Sequence, residues 1–196
     1  SYLSAQTGKE NERIKQNYIR SIIGMDEEKQ PYLQLLSKIP REKEVSDQNV
    51  IELQQLYPIR QEEIHRLIST IRGDGSWPDI NYADTKRSGW EPKQHTERIL
   101  KLTKYYAREQ ENVSAQEISA VVSIIHQAMK YWFVQKPVCK NWWYNQIGIP
   151  RTLGPAFLLF ETEMTEKEKQ EAIRVMEQSQ FGMTGQNKVW LAGNVL

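Results

Sequence analysis

The chain of 196 residues has a formal net charge of +1, with 39% hydrophobic and 26% charged residues, which fits one sizeable globular domain or a large piece of a bigger protein. The balanced charge argues against sequence-independent nucleic-acid binding, which needs a basic excess, and no apolar run approaches the roughly 18 residues of a membrane span. The single cysteine, Cys139, excludes an internal disulfide framework and a multi-cysteine metal site within the chain. An acidic ligand stays compatible, because a local cationic cluster attracts anions without a large net charge.

The pattern is helical throughout. The start, Ser1 to Ala5, lacks the basic and apolar regions of a signal peptide, so either none existed or it has been removed. Ile14, Tyr18, Ile19 and Ile22 predict a helix over residues 10–23 that stops at Gly24. Pro31 and Pro40 break the next stretch. Ser46 or Asp47 then caps a helix through Ile51, Leu53 and Leu56 that ends before Pro58. Residues 61–71 give another, with Ile64, Leu67, Ile68 and Ile71 on one side. Residues 73–84 read as a long loop whose Gly, Asp, Asn and Pro residues supply turns, and loops of that length in compact domains are often functional.

From Pro92 a helix runs to about residue 109, with Ile99, Leu100, Leu102 and Tyr106 as its apolar positions. Ser114 and Glu117 form a capping-box pattern. They open a helix whose apolar set is Ile118, Val121, Val122, Ile125, Met129 and Trp132, and Pro137 closes it. A helix over 141–160 follows. Thr165 and Glu168 form a second capping box before a helix through Ile173 and Met176. A turn at 182–185 leads into a final helical pattern over 186–192. No period-two alternation competes with these segments, and successive helices joined by variable loops predict antiparallel helix pairs. The apolar pattern runs to Leu196 without a capping signal, so the chain is expected to be the front part of a larger protein.

One run does not look like an ordinary helix. Asn141-Trp142-Trp143-Tyr144-Asn145-Gln146-Ile147-Gly148-Ile149-Pro150-Arg151 sets three aromatics between two asparagines. Adjacent indoles on a helix diverge by roughly 100°, so both rarely fit one apolar face. An indole offers a flat apolar surface with a polar N–H, and Asn offers both donors and an acceptor. Together they suit a ligand with apolar ring faces and hydroxyl edges, which describes a sugar. The alternative is that both indoles are core residues beside a turn.

Three segments resemble the N-terminal helical part of the polysaccharide lyases that cleave hyaluronan, chondroitin or xanthan (family 8). They are Asp74-Gly75-Ser76-Trp77-Pro78-Asp79 through Tyr82, Asn141-Trp142-Trp143 through Pro150-Arg151, and Thr184-Gly185-Gln186-Asn187. The resemblance implies an all-α fold, an incomplete (α/α) toroid of antiparallel helix pairs spanning residues 1–196 and continuing into the C-terminal remainder of a parent lyase. It also implies β-elimination at a uronic acid of an anionic polysaccharide, without a cofactor, in a bacterial protein that is secreted or periplasmic. Removing the C5 proton is hard because the adjacent carboxylate disfavours further charge, and an amide donor with nearby cations stabilises the enolate-like state. A Tyr/His pair then handles the proton and the leaving oxygen.

By motif matching, Asn187 corresponds to the amide that hydrogen-bonds the uronate carboxylate; its alternative is a helix-cap Asn after Gly185. Asn141, Trp142 and Trp143 correspond to the patch that positions the sugar chain. Arg151 is a candidate cation for the acidic sugar, and Phe181 a candidate extension of the aromatic wall.

In the family the catalytic Tyr and His lie beyond the position of Asn187. His65 sits on a polar helical stretch, His95 begins a helix and His126 lies within a strong one, so none suits that role and the chain alone is expected not to turn over substrate. Three other readings stay open: a noncatalytic carbohydrate-binding helical module, a helical protein-interaction scaffold, and a toroid glycosidase. The last would need a carboxylate pair, for which Asp74, Asp79 and Asp84 qualify by type. A metal site is not expected, because the acidic loop lacks EF-hand spacing. Gly73 and Gly75 lack the partners of a phosphate-binding loop.

Overall fold

The computed structural model describes residues 2–23 and 61–179, which fall in separate compact units, Ser1–Arg60 and Gln61–Leu196. The expected stop at Gly24, the breaks at Pro31 and Pro40, the helix capped by Ser46 or Asp47, and the terminal turn and helix with Phe181 and Asn187 lie outside the described residues.

In the first unit, helix α1 spans Tyr2–Ile23, beginning earlier than the apolar stripe alone predicts. Pairs one turn apart support it: Arg13 Nη2 donates to Glu10 at 3.2 Å, and Gln16 Nε2 to Glu12 at 2.8 Å.

The described part of the second unit is all helical: α2 (Gln61–Thr70), α3 (Lys93–Glu109), α4 (Ala115–Gln135), a π-helical turn (Tyr144–Gly148), α5 (Ile149–Phe160) and α6 (Glu166–Met176). Helix α3 lies at the centre, packed against α2, α4 and most extensively α5. Its buried face comprises His95, Ile99, Leu102, Tyr105 and Tyr106, with Thr96 and Thr103 interleaved. Those two threonines are compatible with burial because each hydroxyl donates to the carbonyl three residues back, Lys93 and Leu100 respectively.

Helix α4 buries Val121, Ile124, Ile125, Ala128, Met129, Trp132 and Phe133. This stripe is wider than the one predicted, whereas Ile118 and Val122 are only half-buried. Ser114 caps it by accepting the Glu117 N–H at 3.2 Å. The reciprocal half of the expected box is absent, because Glu117 instead accepts the Tyr105 hydroxyl. The helix ends at Lys136, left-handed at φ 45°, and Pro137 prevents its continuation.

Helix α5 is apolar on most sides, burying Ile149, Leu153, Ala156, Phe157 and Phe160, as expected of a helix enclosed by others. Gly154 admits Met176 of α6, whose Cε would lie 3.0 Å from an added Cβ. At α6 both halves of the Thr165–Glu168 box form. The second oxygen of Glu168 accepts from His126 Nδ1 at 2.7 Å, so the cap also ties α6 to α4. Ile173 is exposed: the phase that buries Ala172 and Val175 turns it outward.

Candidate functional site

The long loop between α2 and α3 is a brace. Gly75 adopts φ 91°, and a Cβ there would stand 2.2 Å from the Gln127 carbonyl oxygen, so only glycine brings the loop this close to α4. Asp74 accepts from the Ser76 backbone and hydroxyl at 2.9 and 2.7 Å. Trp77 is fully buried, and its indole N–H donates to the Leu67 carbonyl at 3.1 Å. Arg98 forms two 2.7 Å bonds with Asp79 and lies 5.2 Å from the Trp77 ring centroid.

Beneath the loop lies a buried polar chain. The Trp77 backbone N–H donates to the Tyr82 hydroxyl at 3.1 Å, and Tyr82 contacts His95 Nδ1 at 2.8 Å. On the opposite edge of the ring, His95 Nε2 lies 2.9 Å from the Ala128 carbonyl. A carbonyl only accepts, so Nε2 bears the hydrogen and Nδ1 receives the Tyr82 proton. Burial pushes the His95 pKa down to about 4, keeping the ring neutral, and pushes Tyr82 up to about 12. Neither group is available to a ligand.

The loop's second half fixes the aromatic run. Asp84 accepts from the Lys86 and Glu91 backbone N–H groups, each at 3.0 Å, and its carbonyl accepts the Trp90 indole N–H at 3.0 Å. Trp90 is buried, with its ring edge-on to Tyr144. The Tyr144 hydroxyl accepts the Gly89 N–H at 3.2 Å. Asn141 donates through Nδ2 to the Arg87 carbonyl at 3.0 Å and accepts the Trp143 N–H at 3.1 Å. It therefore precedes and caps the helical turn instead of lying within a helix. Asn145, to which the sequence reading gave no role, clamps Cys139: its Oδ1 accepts the Cys139 N–H at 2.9 Å and its Nδ2 donates to the Cys139 carbonyl at 2.8 Å.

The two indoles diverge as the sequence predicts. Trp142 is 41% exposed. Trp143 is half-buried, lies edge-on to Tyr144, and packs so tightly over Gly148 that a Cβ there would come within 2.7 Å of its ring. The π-helical turn between them and α5 makes this possible by adding a residue to the turn. Arg151 stands exposed in the first turn of α5. Phe181 and Asn187 lie outside the described residues; Asn141, Trp142 and Trp143 lie together at the start of the π-helical turn.

The carboxylates a glycosidase would need are otherwise engaged. Asp74 is held below its ordinary pKa by Ser76, Asp79 by Arg98, and Asp84 by the Glu91 and Lys86 backbone. A general acid requires the opposite shift. Among the described residues no group of three or more His, Cys, Asp or Glu is placed to hold a metal ion. No described helix is long and apolar enough to cross a membrane.

This all-helical frame is that of the helical domain of a polysaccharide lyase family. Residues 39–192 match the N-terminal alpha-helical domain of polysaccharide lyase family 8, and the chain belongs to that family. It is similar to chondroitinase-AC of Pedobacter heparinus, at 27% identity over 129 residues, which is 64% of this chain and 18% of that protein. It is also similar to a solved chondroitinase AC lyase studied in enzyme–oligosaccharide complexes, with 26% identity, a TM-score of 0.59 and coverage of 70% of this chain and 21% of the other. The chain thus spans about a fifth of the length of these relatives.

Proposed function

We propose that this chain is the substrate-facing helical portion of a lyase that cleaves an anionic, uronate-containing polysaccharide by β-elimination. The observation that carries this reading is the 41% exposure of Trp142 on a backbone fixed by Asn141 and Asn145, in a chain of family 8. A flat apolar ring held rigidly at the surface suits the ring face of a sugar, and its rigidity limits the ordering cost of binding. Trp143, Arg151 and Phe181 extend the wall. Asn187 donates its amide to the uronate carboxylate, which offsets the charge that develops when the C5 proton leaves.

The proton-transfer pair comes from the remainder of the parent enzyme, because the three histidines of this chain are otherwise engaged. His95 is sealed in the core, His126 contacts Glu168 at 2.7 Å, and His65 lies 3.4 Å from Glu117. The chain alone therefore binds without cleaving, and the parent acts outside the cell, where polymeric substrates of this kind are reached.

Calorimetry with chondroitin and hyaluronan oligosaccharides tests the platform. Trp142→Ala is expected to weaken binding about two- to tenfold, the worth of one aromatic contact. Unchanged affinity in both Trp142→Ala and Trp143→Ala would remove the platform from the account. In the full-length parent, Asn187→Ala is expected to lower kcat by about 10²-fold or more with a smaller change in KM.

A further inference from the structure

Resting on the glycan-platform reading above, we propose that Arg87 and Lys140 form a subsite for the anionic groups of the polysaccharide, beside Trp142. The loop carrying Arg87 is strapped to the platform at three points. The Cys139 thiol donates to the Lys86 carbonyl at 3.5 Å, Asn141 Nδ2 donates to the Arg87 carbonyl at 3.0 Å, and the Gly89 N–H donates to the Tyr144 hydroxyl at 3.2 Å. The peptide of Arg87 is therefore bonded to the residue immediately before Trp142, and Lys140 is the residue before that. Both residues thus branch from backbone bonded or joined to the segment that carries Trp142.

Some surface cations are neutralised by partners and others, Lys130 and Lys167 among them, are not; what sets Arg87 and Lys140 apart is their place on backbone bonded or joined to the segment that carries Trp142. Lys86 pairs with Glu91, Lys93 with Glu97, Arg98 with Asp79, Lys101 with Glu63, and Lys136 with Glu171. Arg87 and Lys140 are both exposed, and among the described residues neither makes an ion pair. Within the strap the nearby carboxylates are already committed: Asp84 accepts two backbone N–H groups, and Glu91 accepts the Asn81 N–H and faces Lys86. Two unneutralised cations on a fixed backbone beside an aromatic face match a chain that alternates ring faces with carboxylate or sulfate groups. Arg presents a planar fork suited to either anion, and Lys a mobile point charge.

The test is the affinity of the 196-residue chain for two octasaccharides, unsulfated chondroitin and chondroitin 4-sulfate, each at low and physiological salt. Arg87→Gln/Lys140→Gln is expected to weaken binding about three- to tenfold at low salt, the worth of two exposed charge contacts. The salt dependence should become shallower. A loss shared by both sugars assigns the subsite to the carboxylate, and a loss confined to the sulfated one assigns it to sulfate. The control Lys130→Gln/Lys167→Gln removes the same charge from α4 and α6. An equal loss in that control would overturn the proposal in favour of net charge. If Trp142→Ala weakens binding and Arg87→Gln/Lys140→Gln does not, the subsite is overturned while the platform stands. If neither does, both fall.

Discussion

Acidification should destabilise this fold through a single buried imidazole. His95 is fully buried, bonded on both ring nitrogens, and held neutral by a pKa pushed down to about 4, against about 6.5 in an unfolded chain. Between those values the unfolded state binds a proton that the folded state refuses, so stability falls as pH falls. The contribution is fully present above the unfolded value, begins to be lost near pH 6.5, and is gone below about pH 4. At about 1.4 kcal/mol per pH unit the whole loss is about 3 kcal/mol, of which about 2 kcal/mol is reached by pH 5. That is a large share of a typical domain's stability. The lowered carboxylates at Asp74, Asp79, Asp84, Glu117 and Glu168 work in the same direction but in a lower window, below the ordinary carboxylate range.

Urea denaturation at pH 7.5 and 5 should therefore show wild type losing about 2 kcal/mol more than His95→Asn. In that variant the Asn side-chain oxygen replaces Nδ1 as acceptor for Tyr82, and nothing titrates. His95→Asn should be less stable at neutral pH, because the Ala128 carbonyl loses its donor, yet its stability should depend less on pH. His65 and His126 are present in both proteins and cancel. Equal pH dependence in the two, or an imidazole resonance of His95 that titrates near 6.5, would refute the inference from burial to charge state.

Gly75→Ala should cost more than about 2 kcal/mol and lower Tm by several degrees, since it combines a left-handed backbone with a clash against the Gln127 carbonyl; Gly89→Ala, also left-handed but with open space around it, should cost less. Thr165→Ala should destabilise by about 1 to 2 kcal/mol, and Ser114→Ala by less, because the Thr165 cap is reciprocal and its Glu168 also holds His126; thermal melts of the two variants compare them directly. Asn145→Ala should lower affinity for chondroitin oligosaccharides by more than its change in Tm predicts, because it releases both backbone groups of Cys139 ahead of the platform; a loss of stability with unchanged affinity would show that the clamp serves folding alone.

Local signals were the legible ones. Ser114 and Thr165 announce helix starts because a cap is decided by residues three apart, and both helices begin where those residues place them. The long loop was legible as a loop, but not as a brace. Its partners Leu67 and Gln127 lie on α2 and α4, and no local pattern records such pairings. His95 illustrates the cost. As a polar residue at a helix start it carries no local sign of burial, yet Tyr82 and Ala128 satisfy both ring nitrogens, and a satisfied polar group is compatible with full burial. Glu117 shows the converse: the spacing for a complete capping box was present, and Tyr105 took the carboxylate instead.

Residue type also overstated what the platform asparagine offers a ligand. An Asn side chain has two donor hydrogens and two acceptor lone pairs. In Asn141 one hydrogen is spent on the Arg87 carbonyl and one lone pair on the Trp143 N–H. Half its capacity thus holds the loop and starts the turn that aims Trp142. Removing Asn141 would disturb the strap and the indole together, so lost sugar affinity in Asn141→Ala would not establish a direct contact. Asn141→Asp separates the start of the turn from the amide N–H: it keeps the acceptor for Trp143, loses the donor to Arg87, and sets a negative charge beside Trp142. If the amide supports the platform without touching sugar, the variant should recover affinity at high salt, where repulsion of the polyanion is screened. Failure to recover would show that a bond of the lost amide N–H, to the Arg87 carbonyl or to the ligand, is needed.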